Sequence, residues 1–426
     1  MKNKDLIQII RQGGLDKTLT GLYGETRLEE ARARYSGLIK SFKDFFGYDA
    51  KSIFSAPGRT EIGGNHTDHQ HGCVLAASVD LDILAAVKPN KAGLIRLKSE
   101  GRSFCRVDLS DLEPKKGEAN STKAPIRGMA SGFHNLGCDF GSDGFDAYVI
   151  SDVPGGSGLS SSAAFEVLIG TIINSLFFSD KASPVDVAKI GGYAENVFFG
   201  KPSGLMDQTV SAVGGVCAID FFDPKAPKVQ RGELDLKGEG YVLCILNSKA
   251  DHADLTNEYA SITDEMGRIS KYFGKTALRD VDEADFYKAL PDLRKSAGDR
   301  AVLRAMHYFE DNKKAIQEAE ALKHGDFEGF LKLVRASGAS SAMYLQNVVP
   351  TGQTKSQELM VAIGLAERLL GGKGAVRVHG GGFGGTAQAF VPSDIVSEFK
   401  TGYEAAFGKD SCRVVNVRSC GGIKVL

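Results

Sequence analysis

The chain holds 426 residues, with 52 Lys and Arg against 53 Asp and Glu and a formal net charge of −1. So even a balance leaves no electrostatic footprint for nucleic acid or an anionic membrane, and any bound anion must be held by a loop or a few basic side chains. The composition, 42% apolar and 25% charged, is that of an ordinary globular protein long enough for two domains. At the start, MKNKDLIQIIRQGG has too short an apolar stretch for a signal peptide and no transit-peptide character. No run reaches the ~18 apolar residues of a membrane span. The seven cysteines are odd in number and scattered, with no C-x-x-C pair. Zinc and redox motifs are therefore unsupported, and reduced thiols in a cytoplasmic protein are expected.

Residues 55–69 read SAPGRTEIGGNHTDH. Four polar side chains within five residues, Asn65, His66, Asp68 and His69, with His71 just beyond, could form a metal site. Strands are expected at 82–87, 145–151, 216–222, 241–246, 386–391 and 413–417. After the second of these comes Pro154-Gly155-Gly156-Ser157-Gly158-Leu159-Ser160-Ser161-Ser162-Ala163, followed by an apolar helical run to Leu176. A glycine-rich turn between strand and helix lets backbone N–H groups close on an anion, and a serine there could ligate Mg²⁺. The plainer reading is a tight turn with an N-capping serine. It is neither a Walker nor a Rossmann loop, and no dinucleotide fingerprint occurs elsewhere.

Ser183-Pro184-Val185-Asp186 predicts an N-cap, a Pro at N1 and an acidic N3, with a helix running to Gly200. Glu195 lies late on that helix and Asp207 follows a glycine-bearing turn at Gly204. Such a pair of carboxylates can divide labour, one holding a metal and the other taking a proton, although most acids are simply solvated. The stretch 301–323 alternates apolar and charged residues and is expected to be a long surface helix. Thr354-Lys355-Ser356-Gln357 reads as a second capping box, ahead of a helix ending at Gly371-Gly372. A last glycine run, Arg377-Val378-His379 with Gly380 to Gly385, sits between helix and strand. The class is α+β in two lobes, and the Gly214-Gly215 pair sets the expected division at 1–212 and 213–426.

The 154–163 segment resembles the P-x-G-x-G-L-S-S-S-A motif of the GHMP kinases. The resemblance implies ATP phosphates wrapped by Pro154, Gly156, Ser157, Gly158, Leu159, Ser160, Ser161 and Ser162, with Ser162 on Mg²⁺. Within that family, 195–208 is similar to the A-E…G-x-M-D-Q segment of galactokinases. This implies Glu195 on Mg²⁺, Gly204 at the sugar and Asp207 as base at the sugar hydroxyl. Residues 58–69 resemble the signature G-R-x-N-L-I-G-E-H-T-D-Y. That likeness ranks sugar binding by Asn65, His66 and Asp68 above metal binding and makes Arg59 the group stabilising charge at the transferred phosphoryl. A gap-free match from Asn247-Ser248 through His252 to Glu258-Tyr259 implies Tyr259 beside the sugar ring. The final glycine run is expected to pack on the phosphate loop. The resemblance therefore implies a two-lobed fold with a ferredoxin-like C-terminal lobe and the active site in the cleft. It implies an enzyme that makes galactose 1-phosphate from galactose and ATP; the partners expected are small molecules only, and a monomer is expected.

Within that signature Asn65 stands for Glu, Glu61 for Asn and His69 for Tyr, and Asp251 sits where galactokinases mostly have Arg. The family's Glu helps bind the C6 hydroxyl. It would repel a sugar acid, since like charges about 4 Å apart cost roughly 4 kcal/mol at an effective dielectric near 20. Asn65 makes a C6 carboxylate tolerable, and galacturonokinases are similar here, with a small neutral residue and an H-x-D-H-Q run. The motif carries no further Lys or Arg to pair such a carboxylate, and Tyr259 is the galactokinase-like choice. Galactose is the expected acceptor. A galacturonokinase, or kinase of another C6-modified hexose, is the alternative, and a non-catalytic sugar and ATP sensor is a third reading.

Overall fold

The computed structural model describes residues 3–155, 158–201, 203–250 and 255–426. Gly156, Ser157, Asp251 and His252, singled out above, lie outside them. Among the described residues, strands β1 (Ser52–Gly63), β2 (Cys73–Asn90), β3 (Leu94–Ser99), β4 (Cys105–Asp108), β5 (Gly144–Ser151), β6 (Val216–Asp220), β7 (Lys228–Gly232) and β12 (Ile423–Lys424) form one sheet. Its order is β12-β1-β2-β5-β3-β4, with β6 on β2 and β7 on β6. A second, antiparallel sheet has the order β11-β8-β10-β9, from β8 (Tyr241–Asn247), β9 (Ala375–Val378), β10 (Thr386–Pro392) and β11 (Cys412–Val415). Helices join β8 to β9, β10 follows β9 directly, and the helix Val396–Phe407 leads to β11. That is the split βαβ connectivity of a ferredoxin-like lobe.

All six expected strands lie in these sheets. The division at 212–213 needs correction. It falls just before β6, whose residues 216–220 pair with 77–73 of β2 in the first sheet. The chain end returns as well, with Phe54 opposite Lys424. The first lobe is thus closed by residues from beyond the expected boundary.

Period-two alternation explains the layering. On β8, Leu243 and Ile245 enter the large core shared with β1, β2, β5 and the helix Ser161–Phe177. Cys244 and Leu246 pack on the opposite face with Leu359, Ala362, Phe399 and Tyr403. One hydrophobic body therefore spans both sheets and fixes the lobes against each other.

Ser183 caps the helix Pro184–Tyr193 in a complete capping box with Asp186. The second box does not form. The helix Glu358–Leu370 begins three residues later than Thr354 would set it, without a side-chain cap. Gln357 donates instead to the Gln353 carbonyl. The expected surface helix is Asp299–Lys323, and its exposure also needs correction. Arg304, His307, Asp311 and Glu318 are wholly buried. Their spacing of three, four and seven places them on one stripe facing the core. All seven cysteines are free thiols. No helix among the described residues is long and apolar enough to cross a membrane.

Candidate active site

The site begins at a register break in β1. Pairing with β2 shifts between Pro57 and Arg59, and such bulges re-aim a side chain. The Arg59 N–H donates to the Leu159 carbonyl at 3.0 Å and its Nη1 to the Gly158 carbonyl, tying β1 to the glycine-rich loop. Arg59 then grips Asp207 with two parallel bonds, Nε to Oδ1 at 2.7 Å and Nη2 to Oδ2 at 2.8 Å. Asp207 lies in the first turn of the helix Met206–Val213, where the helix dipole favours a carboxylate. Ser160 Oγ donates to Asp207 Oδ2 at 2.6 Å. Burial raises the Asp207 carboxyl, but the Arg59 charge and the hydrogen bonds from Arg59 and Ser160 outweigh it and hold it below the usual range.

The loop serine does not cap its helix. Ser160 precedes Ser161–Phe177 at φ 56° with no capping bond, a left-handed setting uncommon outside glycine. Its hydroxyl is spent on Asp207 instead. Strain of this kind gathers at functional sites. Gly158 is also left-handed, φ +69°, and a β-carbon there would press on Thr386 and His379. The last glycine run thus packs against the phosphate loop. His379 is buried, and burial followed by the charges of Arg59 and Arg377 keeps its imidazole neutral.

Glu195 is carried by a π-helical turn, Ala194–Phe199, that continues the capped helix. Such turns recur at functional sites. Ser162 Oγ stands 3.3 Å from Glu195 Oε1 and Lys201 Nζ 3.2 Å from the same oxygen. Ser203 Oγ and Gln208 Nε2 each donate to Oε2 at 2.7 Å. Gln208 also donates to Glu166 Oε2 at 2.9 Å, so one amide links two carboxyls. Burial, then the Glu195 charge, pushes Glu166 well above the carboxylate range. Ser162 and Glu195 offer hard oxygen donors of the kind Mg²⁺ takes in ones and twos beside substrate phosphates. No group of three or more His, Cys, Asp and Glu side chains able to hold a metal occurs among the described residues.

Sugar-signature residues gather next to this. A β-carbon on Gly204, three residues before Asp207, would run into the Asp68 carboxylate. Asp68 Oδ1 accepts the His69 N–H at 2.9 Å. His66, at φ 58°, donates from Nε2 to the Gly381 carbonyl at 3.0 Å, and burial drives its pKa down to about 4. Tyr259 donates to the Gly382 carbonyl at 3.3 Å and meets Phe383 edge-on.

Asn65 departs from expectation. It is 0% exposed, whereas the Asp207 side chain keeps 29% of its surface. Both Asn65 amide hydrogens go to protein, to Glu61 Oε1 at 2.7 Å and to the Gly380 carbonyl at 2.8 Å. Its Oδ1 accepts from Asn347 at 2.7 Å and Ser341 at 3.3 Å. With all four positions filled, it has nothing left for a ligand, and the sugar contact expected of it is withdrawn.

Comparison with known proteins fits this arrangement. The chain is 33% identical over 371 residues to the galactokinase of Streptococcus thermophilus, covering 86% of this chain and 92% of that one.

The chain belongs to the galactokinase family.

The galactokinase of Actinobacillus pleuropneumoniae is 30% identical over 85% of the chain and 90% of its own. The galactokinase galactose-binding signature matches residues 40–89 and the GHMP kinases N terminal domain residues 126–215. A crystal structure of Lactococcus lactis galactokinase complexed with galactose superposes with a TM-score of 0.77 at 26% identity, covering 91% of this chain and 99% of that one. A mevalonate kinase structure shares the fold at a TM-score of 0.59 and 16% identity. As a member of the galactokinase family this chain is a sugar kinase, with ATP as its phosphoryl donor.

Sequence reading missed Glu166, Lys201, Ser203, His307, Asp311 and Asn347. Glu166 is hidden in an apolar run. His307 and Asp311 had one available signal, their i, i+4 spacing with Glu318 one heptad beyond Asp311.

Proposed function

We propose that this protein transfers the γ-phosphoryl of ATP to the anomeric hydroxyl of galactose. The fork between Arg59 and Asp207, set against the phosphate loop, carries the reading. Asp207 accepts the proton of the sugar hydroxyl as that oxygen bonds to the γ-phosphorus, and the bond to the ADP oxygen breaks. Arg59, permanently ionised, keeps Asp207 deprotonated and offsets charge at the phosphoryl. Residues of the 154–163 loop hold the phosphates. His66, Asp68, Gly204 and Tyr259 line the sugar. Transfer of this kind depends on alignment and charge neutralisation more than on covalent help.

Ser162 and Glu195 would hold Mg²⁺, which neutralises phosphate charge when bound. Lys201 beside them already supplies a positive charge at Glu195. Each chain carries a complete set of these groups, so a monomer suffices.

An acceptor panel tests the reading. ADP release with Mg-ATP is measured against galactose, N-acetylgalactosamine, galacturonate and arabinose. Galactose is expected to be turned over best. A preference for galacturonate, or ATP binding with no turnover on any sugar, contradicts it.

A further inference from the structure

Two departures that look separate in the sequence touch in the structure. Glu61 stands where the family signature has Asn, Asn65 stands where it has Glu, and Asn65 Nδ2 donates to Glu61 Oε1 at 2.7 Å. Arg377, wholly buried, donates from Nη2 to the same oxygen at 3.2 Å. The pair still holds one carboxylate and one amide, with their places exchanged. Changing Glu61 alone to an amide strips Arg377 of a buried counter-charge; changing Asn65 alone to an acid sets two carboxylates at one hydrogen bond. Both leave buried groups unmatched. The reciprocal change avoids both faults.

What the pair holds is the start of the sugar segment. The Asn65 N–H donates to Asp311 Oδ2 and its carbonyl accepts from His307 Nε2, each at 2.9 Å. Its side chain reaches the Gly380 carbonyl, and the next residue, His66, reaches the Gly381 carbonyl. The strand β1, the helix Asp299–Lys323 and the last glycine run are thereby clasped at the point from which His66 and Asp68 depart.

We propose that Glu61 and Asn65 act as one exchanged carboxylate–amide unit that positions His66 and Asp68 for the sugar without either touching it. This deepens the kinase reading above and rests on it. Because the clasp bonds the sugar segment directly and meets the phosphate loop only through the last glycine run, its loss weakens sugar use more than ATP use.

The test uses isosteric changes in the full-length protein: Glu61→Gln, Asn65→Asp and the double variant, with KM for galactose, KM for ATP, kcat and thermal melting read for each. Asn65→Asp alone is expected to raise the galactose KM about tenfold or more while the ATP KM stays within about twofold. Glu61→Gln alone raises it by a smaller factor. The double variant, again with one carboxylate and one amide, returns to within about threefold of wild type. If the double variant is as poor as the product of the two singles, or the ATP KM moves in step with the galactose KM, the proposal is overturned. Should Asn65→Asp fail to fold, folding of the double variant is the same rescue read by melting, and failure of both overturns it. A wild-type protein inactive on galactose sinks the kinase reading instead, and the two failures are distinct.

Discussion

The guanidinium of Arg59 meets the carboxylate of Asp207 along one edge, Nε to Oδ1 and Nη2 to Oδ2, while its remaining nitrogen reaches the Gly158 carbonyl. One side chain thus registers the base against the phosphate loop. Lysine keeps the charge but not the fork. Arg59→Lys is expected to lower kcat about a hundredfold or more, the scale seen when a positioned electrostatic donor is lost, with little change in the ATP KM. Steady-state kinetics in both substrates measure this, and a kcat within a few-fold of wild type contradicts it.

Glu195 gathers Ser162, Lys201, Ser203 and Gln208 around two oxygens. Glu195→Gln removes the charge and keeps the shape. The Mg²⁺ concentration for half-maximal rate is expected to rise about ten- to a hundredfold, by analogy with losses at metal shells. A Mg²⁺ titration at fixed ATP and galactose reads the shift. An unmoved midpoint removes Glu195 from the metal.

At Gly204 the absence of a side chain leaves space for the Asp68 carboxylate. Gly204→Ala pushes that carboxylate aside. The galactose KM is expected to rise about tenfold, corresponding to about 1.4 kcal/mol, with ATP binding unchanged. Calorimetric titration of ATP and kinetics in galactose separate the two. Equal losses in both ligands show a general distortion instead.

Burial pushes Glu61 up to about 7, against the pull of Arg377, Arg59 and the Asn65 hydrogen bond and with Asp68 adding to the rise; Glu318 also faces it. The folded state therefore holds this proton more tightly than the unfolded chain, whose Glu titrates near ~4.3. The stability this gives is complete below that value and is lost as pH rises through about 7. Between about pH 5 and 8, unfolding free energy is expected to fall more steeply in wild type than in Glu61→Gln, by up to ~1.4 kcal/mol per pH unit. Denaturant melts across that range measure the slopes. Parallel curves contradict the assignment.

The capped helix at Ser183 was legible because cap, Pro184 and Asp186 are local chemistry, as was the joining of Arg59, the loop and Asp207 through their motifs. What escaped depends on contacts distant in sequence. The acid and imidazole stripe of the Asp299–Lys323 helix reads as solvent-facing until the partners at Asn65 and Ser340 are known. Asn65 was misplaced for the same reason. Its type fits a sugar contact, but Glu61, Ser341, Asn347 and Gly380 take every hydrogen bond it can make. Thr354 caps no helix, and Gln357 donates to the Gln353 carbonyl.

The most direct test of the account is phosphorus NMR of the product formed from galactose and Mg-ATP by wild type and by Asp207→Asn. Wild type is expected to give galactose 1-phosphate, and the variant a rate lower by about a hundred- to ten-thousandfold, the range for loss of a general base. Phosphate on another hydroxyl, or a variant as fast as wild type, contradicts it.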